Sequence, residues 1–190
     1  MRTFIAIELP KAVKDSLARL EERLKKTGAD VKWVEPRNIH LTLKFLGEVD
    51  QQKLEKINQA LKSIAGDKKT FHMRVSSIGA FPKINSPRII WVGIDKGDNE
   101  TKEIAEGLEE KLAKLDIPKE DRPFSSHITI GRVKSTLNRD KLIRELTAAE
   151  DILKTENLEF TVERITLFQS TLTPGGPIYE PLKTADLTTI

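Results

Sequence analysis

Two stretches of this chain share one pattern, His40-Leu41-Thr42-Leu43 and His127-Ile128-Thr129-Ile130, and together they use two of the only three histidines present. In each copy polar and aliphatic residues alternate strictly. That is the period of a half-buried β-strand, in which residues i and i+2 share a face. The pattern therefore predicts two strands, 87 residues apart counting from position 40 to 127, each with one dry and one wet side. Each histidine should stand beside its threonine on the face turned away from the core.

That pairing has a chemical use. An imidazole with an ordinary pKa of ~6.5 gives or takes a proton near neutrality, and a neighbouring hydroxyl can donate a hydrogen bond to an oxyanion. Two copies brought together supply one acid, one base and two donors. This is the equipment for in-line displacement at phosphorus without a metal.

Composition narrows the setting. A chain of 190 residues suits one large domain or two small lobes sharing a core. With 38% hydrophobic and 32% charged residues, the chain is globular and soluble rather than disordered. The net charge of +3 permits a phosphate-bearing ligand without demanding one, since 32 basic residues face 29 acidic ones. The absence of cysteine excludes disulfides, thiolate nucleophiles and cysteine-based zinc sites. No apolar run approaches the ~18 residues of a membrane span, and the amino terminus lacks the layout of a signal peptide. The expectation is a cytoplasmic protein. Many Lys and Glu with two Met and no Cys fit a heat-loving source.

Along the chain, residues 3–8 read as a strand, with Pro10 at a first helical position. Val13, Leu17, Leu20 and Leu24 mark a helix that Gly28 can end in a left-handed cap. A short strand over 31–34 precedes the first motif strand, about 39–46, and Leu54, Ile57, Leu61 and Ile64 carry a second helix. Period two returns at Phe71, Met73 and Val75, and again over 88–94. A third helix carries Ile104, Leu108, Leu112 and Leu115, and a charged loop, 118–126, leads into the second motif strand. Leu142, Ile143 and Leu146 suggest a fourth helix, and the tail holds two β runs, 158–168 and 178–182, around Pro174-Gly-Gly-Pro177. Each half presents strand, helix and motif strand in similar order, with no linker between them. The reading is one α+β unit over 1–190 with two pseudo-symmetric lobes, an old duplication facing itself across a cleft.

The segment from Val31 to Glu48, with its core Ile39-His-Leu-Thr-Leu-Lys-Phe-Leu-Gly47, resembles the first signature of the 2H phosphoesterases, and specifically of the RNA 2′,3′-cyclic phosphodiesterases, also described as 2′-5′ RNA ligases. The resemblance continues through Gly79-Ala-Phe-Pro82, the Arg88–Gly93 run, Phe124–Arg132, Leu167–Leu172 and Tyr179, and so spans the chain in order. Ser125-Ser126 replaces the proline or other residues often found before the second histidine. The family implies an antiparallel sheet flanked by helices in each lobe, a central groove holding both histidines, and no metal or other cofactor. It implies RNA ending in a 2′,3′-cyclic phosphate as substrate, with tRNA fragments as one candidate source, and a monomer with no obligate protein partner and no membrane.

By that resemblance His40 is the proton donor and His127 the acceptor, a choice the symmetric motifs themselves leave open. Thr42 and Thr129 should bind the non-bridging phosphate oxygens. Lys44 shares the parity of His40 and Thr42 and could approach phosphate, or simply be solvated. Arg132 has the wrong parity for the site on simple alternation, although the family places an arginine there. A bulge near Gly131 would be needed. Trp33, Phe45 and Phe81 could stack on a base, but strand aromatics are more often core. His72 is expected in solvent. Two other readings compete: a non-catalytic RNA-binding module, and, less well supported for lack of a third ligand, a metalloprotein. Within catalysis, the reverse reaction would be 2′-5′ ligation.

Overall fold

The computed structural model describes residues 1–189 and contains nine strands and four helices among them. In order these are β1 (Arg2–Glu8), α1 (Lys11–Lys25), β2 (Val31–Trp33), a 3-10 turn at Pro36–Asn38, β3 (His40–Glu48), α2 (Gln51–Gly66), β4 (Phe71–Lys83), β5 (Ser86–Lys96), α3 (Asp98–Ala113), β6 (His127–Val133), α4 (Arg139–Glu156), β7 (Leu158–Val162), β8 (Arg164–Thr173) and β9 (Gly176–Asp186). Helix α1 forms where the apolar spacing puts Val13, Leu17, Leu20 and Leu24 on one buried stripe. Pro10 occupies the cap position just before it, and Gly28 follows with φ +69°. Asp50 caps α2 by accepting from the Lys53 amide at 2.7 Å, satisfying a helix-start N–H that has no partner within the helix.

The strands form two antiparallel sheets, ordered β3-β1-β8-β9 and β2-β6-β5-β4-β7. The two repeats do not keep to their own sheets. Strand β4, which closes the first repeat, pairs with β5 of the second, and β8, late in the second repeat, returns to pair with β1. Strand β2 likewise crosses over to the edge of the second sheet, against β6. The tail differs from the sequence expectation for the same reason. The apolar alternation over 158–168 is not one strand: it breaks at Glu163 into β7, which pairs with β4, and β8, which pairs with β1. No glycine or proline marks that change of sheet.

One continuous apolar core runs beneath both sheets and includes Ile5, Leu41 and Ile57 together with Val92, Ile128 and Leu146. Complete burial of such side chains contributes about 1.5–3 kcal/mol each. The core therefore joins the two lobes without a break.

Candidate active site

The two motif strands have the same burial profile over six residues. In β3 and in β6, the histidine and threonine are half-buried, the residues between and after them are buried, the fourth after the histidine is buried, and the fifth is exposed. The cause is a bulge at the same place in each. Lys44 pairs with Ile5 and Thr42 with Ala6, so Leu43 has no partner; Gly131 pairs with Ile90 and Thr129 with Trp91, so Ile130 has none. One extra residue inverts the alternation beyond it. His40 and Thr42 therefore share a face with Phe45, and His127 and Thr129 share one with Arg132.

This overturns the parity assigned to Lys44 and supplies the bulge that Arg132 required. Lys44 points inward, with none of its side chain exposed; its Nζ donates to Glu109 Oε1 at 2.6 Å and to the Pro118 carbonyl at 2.9 Å. Glu109 Oε2 in turn accepts from the Glu120 amide at 3.2 Å. The lysine fastens the start of the loop that delivers His127 to β6 and lies on the opposite face of β3 from His40 and Thr42. The residue matching it in β6 is Gly131, where an added Cβ would lie 2.8 Å from Val31 and 3.0 Å from the Trp33 ring. Trp33 thus packs across β6 at that glycine.

Each imidazole is oriented by a carbonyl two residues earlier. His40 Nδ1 lies 2.6 Å from Asn38 O, and His127 Nδ1 lies 2.8 Å from Ser125 O. A carbonyl only accepts, so Nδ1 carries hydrogen in both rings and Nε2 is left for chemistry. These two anchors were missed in the sequence, because they are backbone atoms set by how the chain enters each strand. Asn38 is itself fixed, its side chain donating to Pro177 O at 2.9 Å.

The surroundings then diverge. His40 has Phe4 at 4.9 Å and Tyr179 edge-on at 5.3 Å, and its Nε2 is 2.8 Å from Thr42 Oγ1. Burial lowers its pKa to about 4, with the nearby Lys14 charge acting in the same direction, so the free ring is neutral. A neutral ring with hydrogen on Nδ1 makes Nε2 the acceptor of the Thr42 hydroxyl proton. His127 has a single aromatic neighbour, Phe81, edge-on at 5.1 Å. His72 is exposed, 3.8 Å from Glu159 and apart from both motifs.

Strands β3 and β6 contact each other where the two sheets meet. The charge of Arg132 is felt across this junction: burial raises the pKa of the Tyr179 hydroxyl, while the charges of Arg132 and Arg2 pull it back down. Among the described residues the arginines in ion pairs are Arg23, Arg37, Arg74 and Arg164. Arg132 and Arg2 are thus uncommitted cations beside the His40 cluster. A surface hollow between α2 and α3, lined by Ile64, Lys68, Glu103 and Lys111, contains none of the motif residues. No cluster of three metal-ligating side chains occurs among the described residues, and none of their helices is long and apolar enough to cross a membrane.

By architecture the molecule falls with two-lobed α+β phosphoesterases. It superposes on the crystal structure of TT0787 of Thermus thermophilus with a TM-score of 0.78 at 28% identity, covering 100% of this chain and 99% of that one. Against E. coli LigT in apo form the TM-score is 0.76 at 25% identity, over 98% and 97% of the two chains. The family model described as LigT-like phosphoesterase matches twice, over residues 7–91 and 92–179, and the chain belongs to that family. Among curated relatives, proteins named RNA 2′,3′-cyclic phosphodiesterase from Methanocaldococcus jannaschii and Thermotoga maritima are 41% and 38% identical, over 96% of this chain and 99% and 93% of theirs.

Proposed function

We propose that this protein is an RNA 2′,3′-cyclic phosphodiesterase, a hydrolase that opens a terminal cyclic phosphate to a 2′-phosphomonoester by two-histidine acid–base catalysis. The observation that carries this reading is the matched pair of imidazoles, each tethered through Nδ1 and each offering Nε2 from the same face of a motif strand. Water attacks phosphorus opposite O3′ while His127 Nε2 takes its proton. The P–O3′ bond breaks, and Nε2–H of His40 protonates the departing O3′ to leave a free 3′-hydroxyl.

Thr42, Thr129 and Arg132 bind the phosphate oxygens as charge gathers on them. His40, neutral when free, needs a proton for its role, and the anionic substrate lying beside it favours that uptake. Protonation also ends the Thr42 contact. Nε2 can no longer accept, so its hydrogen is presented to O3′ and the threonine hydroxyl hydrogen is released to point at a phosphate oxygen. His40 thus becomes an acid and Thr42 a phosphate donor in one event.

The site draws one strand from each lobe, so residues 1–190 act in this reading as a single domain of duplicated lobes. A monomer is sufficient, since both histidines come from one chain. Its partners are RNA ends of this kind, those of cleaved tRNA among them, met in the cytoplasm. Incubation of a nucleoside 2′,3′-cyclic phosphate with chelator present tests the reaction. The expected product is the 2′-phosphate alone; a 3′-phosphate, or a need for added divalent cation, would overturn the mechanism.

A further inference from the structure

The fifth residue after each histidine is turned to the histidine's face by its bulge, yet the two residues are chemically opposite: Arg132 in one strand, Phe45 in the other. Phe45 is 59% exposed, an unusual state for a phenylalanine in a strand whose apolar neighbours Leu43 and Leu46 are buried. It is the outer end of a row of rings laid across the first sheet. Phe4 lies 6.2 Å from Phe45, stacks on Phe168 at 5.3 Å and meets Tyr179 edge-on at 4.9 Å. The inner rings are covered, Phe4 to 3% and Phe168 to 7% exposure, so they support a surface rather than form one. Phe4 is also 4.9 Å from His40, which puts the His40 and Phe45 rings no more than about 11 Å apart.

We infer that Phe45 is the stacking surface for the base of the nucleotide preceding the one that bears the cyclic phosphate. The inference rests on the activity proposed above. Phe45 stands five residues along β3 from His40, about 13 Å of strand once one residue is lost to the bulge, and the rings are at most about 11 Å apart, a separation within the reach of two nucleotides. An exposed ring braced by buried rings offers a preformed π-face, which stacks any base without regard to sequence. Arg132 engages the reacting phosphate, and the Phe45 side accepts the rest of the strand. The difference between two equivalent positions thereby sets which way RNA lies across two equivalent histidines.

The test is the ratio of kcat/KM for a dinucleotide ending in 2′,3′-cyclic phosphate to that for the mononucleoside 2′,3′-cyclic phosphate. Stacking of one base predicts a ratio of roughly 5 to 100 in the unaltered protein. Phe45→Leu keeps apolar bulk but lacks the π-face, and should bring the ratio close to one, while Phe45→Tyr should retain it. Leu172→Ala, at a residue 68% exposed on the β8–β9 hairpin, should leave the ratio as it was. A ratio near one in the unaltered protein, or one that survives Phe45→Leu, would overturn the inference. Turnover of the mononucleoside substrate reports separately on the proposed activity, so the two claims fail independently.

Discussion

Strands β3 and β6 are built to one plan and furnished differently. Both carry histidine, threonine and bulge at matching positions, and both tether Nδ1 to the carbonyl two residues back. Yet His40 is enclosed by Phe4 and Tyr179 and already bonded to Thr42, whereas His127 touches one ring and its threonine has no such bond to it. A backbone plan can thus fix where two reactive groups stand and leave their chemistry to the side chains around them. Acid and base need different environments, and here the difference comes from neighbours outside the motif.

The strongest way to break the comparison is to remove each ring in turn. His40→Ala and His127→Ala should each lower kcat by at least about 10²-fold, and the double variant should be little worse than either, because the rings act as a unit. Full turnover in either single variant would end the two-histidine account. Next come the residues after the bulges, which are both buried but not interchangeable. Lys44→Ala strands Glu109 beside an empty site and should cost about 2 kcal/mol in denaturant unfolding, below the 3–5 kcal/mol of a fully buried pair because Glu109 is 22% exposed. Gly131→Ala presses a Cβ against Val31 and Trp33 and should cost about 1.5 kcal/mol by the same measurement. Unfolding midpoints unchanged by either would show that these positions are looser than described.

A titration sharpens the electrostatic difference. A proton titration of the His40 ring followed by NMR should show a midpoint at about 4 in the free protein, and a higher one when a 2′-phosphate product is bound. The folded ring resists a proton that the unfolded ring accepts below an ordinary value of 6.5. Stability should accordingly fall as pH drops from 6.5 towards 4, by at most about 1.4 kcal/mol per unit, and His40→Ala should flatten that limb. A free-state midpoint near 6.5 would show that its surroundings do not hold the His40 ring neutral.

Much of this was legible in the chain. The helix stripes, the Gly28 cap and the facing of His40, Thr42, His127 and Thr129 follow from periods of about 3.6 and two. Lys44 was misplaced because parity counting assumes an unbroken ladder, and the leucine that bulges looks like any other aliphatic residue. The matching bulge in β6 could be demanded in advance only because an arginine had to be brought round to the site. Phe45 shows the same limit. Its residue type suggests core, and only the inverted register exposes it. The division of residues 158–168 between two sheets left no mark either, since alternation reads the same on both sides of Glu163.

The exchange of strands between repeats has a practical outcome. A single repeat, with its closing strand paired into a neighbour's sheet as β4 is, could complete its sheets only by meeting a second copy. Its activity would then fade on dilution, as any bimolecular assembly does. With both copies on one chain, the local concentration of each lobe about the other is set by the polypeptide, so the groove persists however scarce the protein becomes.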